Sequence, residues 1–123
     1  MKIVRQPEGS HQCGQACVAM AAGVSLKRSI KAVGHERSTH TSDLIRGLRA
    51  LGVECADKLV RICRRRPHFP PRAIIAIHRP AVKGERREAG HWMVAWDGEI
   101  IDPAGRYPDG FQNWKMTSYL EIK

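Results

Sequence analysis

The chain has 123 residues, 42% of them hydrophobic and only 6% aromatic, with 21 Lys and Arg against 12 Asp and Glu for a net charge of +9. That length is enough for one domain over residues 1–123 with a core that does not depend on disulfides. No apolar run reaches the roughly 18 residues of a membrane span and Met1–Gly9 has no apolar stretch, so neither a transmembrane helix nor a secretory leader is expected. The expected location is the cytoplasm, with export as an effector the other route.

In chain order, Cys13 to Gly23 is mostly Ala, Val, Met, Gln and Cys, which predicts a buried helix closed by Gly23. Ser25 caps a second helix, Leu26 to Val33, that stops at Gly34. Gly34 to Thr41 is polar and loop-like. Thr41 or Ser42 then caps a third helix, in which Leu44, Ile45, Leu48 and Leu51 recur at helical spacing until Gly52. Val53 to Cys63 reads as extended chain, broken by Pro67, Pro70 and Pro71. Ala73 to His78 is a short apolar strand, buried on both faces, and Val82 to Ala89 is a charged loop. Asp97-Gly98 between two apolar runs predicts a hairpin of His91–Trp96 with Glu99–Asp102. Residues 103–115 are irregular, and Thr117 to Ile122 adds a last strand. Helices first and strands afterwards predict an α+β fold, with helices on one face of a mainly antiparallel sheet.

The four cysteines, at 13, 17, 55 and 63, lack a CxxC pair, so neither a zinc site nor any other metal or cofactor is expected, and the thiols are read as reduced. Cys17, Cys55 and Cys63 are read as inert, and His11, His35, His40, His68 and His78 as surface or loop residues without a matching acid. Basic residues concentrate between Arg61 and Arg87, a field that favours acidic partners. It carries no interleaved aromatics, and the weightier reading is a solvated basic surface.

Chemistry enters with Cys13, His91 and Asp102. A thiol acts as a nucleophile only as thiolate, which the positive end of a helix and a neighbouring imidazolium both favour. Cys13 stands at a predicted helix start. His91 can take and return the proton, and Asp102 lies within cross-strand or diagonal reach of His91 to orient it. Gly14 lets a substrate backbone approach, and Gly90 and Trp92 flank the histidine as cleft wall. The backbone N–H of Cys13 offers one oxyanion donor, and the side-chain amide of Gln6, or less favourably Gln12, a second.

These segments, in this order, resemble the C39 group of papain-like cysteine peptidases, the bacteriocin-processing peptidase domains and their free-standing relatives. The resemblance rests on Gln6 followed by Cys13-Gly14-Gln15-Ala16-Cys17, on Thr41-Ser42-Asp43-Leu44 through Leu48, Leu51 and Gly52, on Pro71 before Ala73–Ile77, on Gly90-His91-Trp92-Met93-Val94, and on Asp102-Pro103-Ala104. It spans residues 3–107. It implies a papain-like fold, Cys13 as nucleophile, His91 as general base and acid, Asp102 as the orienting acid and Gln6 as the oxyanion amide. The step from Gln6 to Cys13 is seven residues, with Pro7 between, where the family leaves six. The Gly-Gly specificity of the transporter-fused members is not carried over.

The reading is therefore a cysteine peptidase acting on a peptide or isopeptide bond of a peptide or protein substrate, an acidic one among the choices. Water resolves the thioester, or an amine does in the related acyl transfer. One alternative is a catalytically silent peptide-binding module on the same fold. Another is a nucleic-acid binder that uses Arg64 to Arg66, Arg72, Arg79, Lys83, Arg86 and Arg87, with binding that weakens steeply in salt.

Overall fold

The computed structural model describes residues 1–63, 65–80, 83–84 and 90–123. Three helices, α1 (Cys13–Ala22), α2 (Leu26–Val33) and α3 (Thr41–Ala50), precede the strands β1 (Val60–Arg61), β2 (Arg72–His78), β3 (Gly90–Trp96), β4 (Glu99–Ile101) and β5 (Lys115–Glu121). The strands form one antiparallel sheet in the order β1-β5-β2-β3-β4. The fold is α+β, as expected from the run of helices before strands. Among the described residues no helix is long and apolar enough to cross a membrane. The expected Val82–Ala89 loop falls largely outside the described residues; Lys83 and Gly84 stand in a turn.

Helix α1 is buried from Gly14 to Met20 because its sequence is apolar nearly all round, and that places it at the centre of the molecule. Gly23 ends it in the left-handed conformation, φ 69°, which glycine adopts without steric penalty. Ser25 Oγ caps α2 by accepting the Arg28 N–H at 3.2 Å. The start of α3 differs from expectation: Thr41 is already helical and His40 is the N-cap. The cause is Asp43, whose carboxylate reaches back to accept the His40 N–H at 2.8 Å.

Strand β2 lies between β3 and β5, and Ala73 to Ile77 are all buried, as its unbroken apolar run implies. Ile74, Val94 and Leu120 face the helices and join Cys17, Val18, Leu44 and Leu48 in one core. Ala73, Ile75, Ile77, Met93 and Ala95 form a second core with Ile62 and Phe111, against which Phe69 and Trp114 pack. The sheet is thus covered on both sides, by helices on one and by irregular segments on the other. The hairpin forms in the expected register, with Trp96 opposite Glu99. Asp97 and Gly98 both take positive φ, 49° and 95°, as a tight two-residue hairpin turn demands. Of the extended stretch 53–63 only Val60–Arg61 pairs as a strand, with Cys55 making a lone bridge to Ile122.

Candidate active site

Cys13 is the first residue of α1. The first intrahelical bond runs from the Ala16 N–H to the Gln12 carbonyl at 3.0 Å, so the Cys13 N–H lies ahead of the helical ladder. His91 is the second residue of β3, and Asp102 follows β4 directly. The hairpin brings those two together: His91 Nε2 stands 2.6 Å from Asp102 Oδ1, with side-chain exposures of 8% and 3%. Nε2 donates to the carboxylate, which leaves Nδ1 as the nitrogen able to exchange a proton with the Cys13 thiol. Cys13 and His91 line one cleft of 430 Å³, close enough for the thiol to bear on the imidazole's titration.

Asp102 is held by more than the histidine. The Ala104 N–H donates to Oδ1 at 2.8 Å, and the Arg106 and Tyr107 N–H groups donate to Oδ2 at 2.7 and 3.0 Å. Its own carbonyl accepts from the Arg5 guanidinium and from the Gly105 N–H. Burial alone would raise the Asp102 carboxyl, but the His91, Arg106 and Ala104 donors outweigh it and hold it at about 2. Burial alone would likewise lower the His91 imidazole. The bond to Asp102, with the neighbouring Cys13 and the Asp102 charge, outweighs that burial and lifts it to about 9.

Phe111, in a short 3₁₀ turn (Asp109–Phe111), stacks on the His91 ring with centroids 4.9 Å apart. Trp114 meets Phe111 edge-on at 4.8 Å. The segment expected to be merely irregular therefore supports the histidine. Nothing in the sequence marks Phe111 for this task, since a single aromatic in a Gly- and Pro-rich stretch has no periodic signature.

Of the expected cleft residues, Gln6, Gly90 and Trp92 line the cleft. Gln6 is pinned by its N–H to the Pro103 carbonyl at 2.9 Å, and its Nε2 donates to the Ser10 carbonyl at 3.0 Å while its buried Oε1 has no partner. The longer step from Gln6 to Cys13 is taken up by a turn, in which the Ser10 N–H bonds the Pro7 carbonyl at 3.0 Å. Gln12 is the N-cap residue of α1, makes no capping bond with its side chain, and does not line the cleft.

Gly14 departs from expectation. It is buried, and a Cβ there would lie 1.9 Å from Thr39 Oγ1 and 3.0 Å from Leu44 Cδ2. Its lack of a side chain admits the α2–α3 loop, not a substrate. Gly14→Ala should lower stability by about 1–3 kcal/mol through overpacking. Urea unfolding reads this directly, and an unchanged midpoint would mean that Thr39 does not rest on Gly14.

The histidines also depart from expectation. His35 has an acid: its Nε2 lies 3.3 Å from Asp43 Oδ1, and its Nδ1 accepts the Arg37 N–H at 3.2 Å. Burial alone would raise Asp43, but the His40 N–H, Arg46 and His35 hold it at about 2. Gln15, fully buried two residues after Cys13, donates from Nε2 to the His35 and Arg37 carbonyls at 3.0 and 2.8 Å. These bonds fix the loop that carries Ser38 and Thr39 to the cleft. His11 and His78 also line the cleft. The Thr117 hydroxyl donates to the Ala76 carbonyl at 3.3 Å, so its oxygen accepts from His78 Nδ1 at 2.6 Å and the His78 Nε2 edge is turned toward Gly90.

Cys17 and Cys55 are buried, and burial pushes both thiols up; Cys63 is exposed. Among the described residues no group of three or more His, Cys, Asp or Glu side chains could hold a metal ion. In the basic stretch, Arg64, Arg86 and Arg87 lie outside the described residues. Arg72 is already engaged within the chain, 4.4 Å over the Trp96 ring and 3.3 Å from the Asp97 carboxylate. A scan against protein-family models and a search of curated proteins both find no match to this chain.

Proposed function

We propose that the protein is a papain-like cysteine peptidase of the C39 type, hydrolysing a peptide or isopeptide bond in a peptide or protein substrate. The observation that carries this reading is the buried 2.6 Å bond between His91 and Asp102, beside a thiol at the start of a central helix. In this reading Cys13 gives its proton to His91 Nδ1 and attacks as the thiolate. The sulfur attacks the carbonyl carbon, a C–S bond forms, and the carbonyl π electrons move to oxygen. The Cys13 N–H and the Gln6 amide donate to that oxyanion. As the C–N bond breaks, His91 Nδ1 gives its proton to the leaving amine. Water then attacks the thioester, losing a proton to His91, and collapse releases the carboxylic acid and restores the thiolate. Asp102 stays ionised throughout and keeps Nε2 protonated, so that only Nδ1 changes state.

Iodoacetamide labelling read by mass spectrometry tests this. At pH 6, Cys13 should react at least about tenfold faster than exposed Cys63, since a thiolate alkylates where a thiol does not. Cys17 and Cys55 should stay unlabelled. The fast phase should vanish in Cys13→Ala and slow in His91→Ala. Slow labelling of Cys13 and Cys63 at one common rate would sink the peptidase reading and favour a binding module.

A further inference from the structure

We propose that Arg106 is a specificity residue that binds a carboxylate, so that the bond cut lies beside an acidic residue of the substrate; this rests on the peptidase reading for its chemistry but not for its binding. Among the described residues, the ionisable side chains lining the cleft are Cys13, His11, His78, His91 and Arg106, and none of the lining residues described is Asp or Glu. The Asp102 carboxylate behind His91 is 5% exposed and its two oxygens already take four donors, from His91, Ala104, Arg106 and Tyr107. It is not available to neutralise a cation at the cleft mouth.

Arg106 is held for this role. Its N–H is fixed on Asp102 Oδ2 at 2.7 Å, and its carbonyl accepts the Gly110 N–H at 2.7 Å. A Cβ on residue 110 would come within 2.7 Å of Arg106 Cβ, so glycine lets the Arg106 stem stand where it does. The guanidinium lies 4.8 Å over the Phe111 ring, which also stacks on the His91 ring and meets Trp114 edge-on. Among the described residues no carboxylate pairs with Arg106. A planar guanidinium braced on an aromatic ring, two ring contacts from the reacting pair, offers a bidentate partner to a carboxylate one residue from the scissile bond.

The test uses two electrophiles of equal shape, N-iodoacetyl-Glu-amide and N-iodoacetyl-Gln-amide, with adducts quantified at Cys13 and at Cys63. The Glu probe should label Cys13 roughly tenfold faster than the Gln probe, the size of one charge-assisted contact, and the gap should shrink in high salt. Cys63 should show no such gap. Arg106→Gln should bring the ratio at Cys13 to about one, and Arg106→Lys, which keeps the charge without the planar fork, should retain part of it. Thermal unfolding of each variant confirms that it is folded. A ratio near one in the wild type, or a ratio that survives Arg106→Gln, would overturn the proposal. If Cys13 reacts no faster than Cys63 yet keeps its Glu preference, the carboxylate site stands and the peptidase reading falls.

Discussion

Asp102→Ala should destabilise the protein by about 3–5 kcal/mol and abolish the fast alkylation of Cys13. The side chain is nearly fully buried and accepts from three backbone N–H groups as well as from His91. Its removal leaves all four donors facing a cavity. The three backbone donors belong to the segment that carries Phe111 over His91, so that support loosens as well. Asp102→Asn separates the two effects. It keeps the volume, but its amide presents donors to a pocket in which every partner is itself a donor, and it supplies no negative charge. The His91 ring should then titrate well below its present value of about 9, which a histidine NMR titration reads. A urea midpoint for Asp102→Ala within 1 kcal/mol of wild type, a bound set by the usual cost of one lost hydrogen bond, would contradict this account.

The second large effect is on pH dependence. His91 is raised from 6.5 to about 9, so its contribution to stability is fully present below about pH 6.5 and is lost as pH rises through 9. Asp102 is lowered from 3.8 to about 2, so its contribution is present above about pH 4 and is lost as pH falls through 2. Both shifts describe one bonded pair, and its plateau lies between these limits. The alkaline loss is on the order of 3 kcal/mol, or roughly 10 °C in Tm for a chain of this size. His91→Gln removes the titrating group, so wild type should lose about that much more than the variant between pH 6 and pH 9.5. Parallel Tm curves for the two proteins would mean that the pair adds no stability that titration removes.

Much of the frame is legible in the residues because local rules and tertiary packing agree there. The apolar run Ala73–Ile77 is the middle strand, Ser25 caps its helix, and Asp97-Gly98 sets a register that places His91 beside Asp102. Legibility fails where the partner is distant in sequence. Gly14 reads as an opening for substrate until Thr39 is seen against it. His35 reads as unpaired because its acid lies on the next helix, within a knot that also holds Arg46 to Asp43 at 2.6 Å. Phe111 and Arg106 have no local pattern at all. Their positions follow from the turn that Asp102 organises after β4, which depends on hydrogen bonds between residues that no periodicity links.

The order of the strands sets a timetable for the chain as it is made. β5, the last of these five strands in chain order, does not join the edge beside β4 but inserts between β1 and β2. Cys13 leaves the ribosome with α1, and His91 with β3. The carboxylate, the turn that bears Phe111 and the strand that completes the sheet all come afterwards. A nascent chain therefore presents the Cys13 thiol before His91, Asp102 and Phe111 have been made.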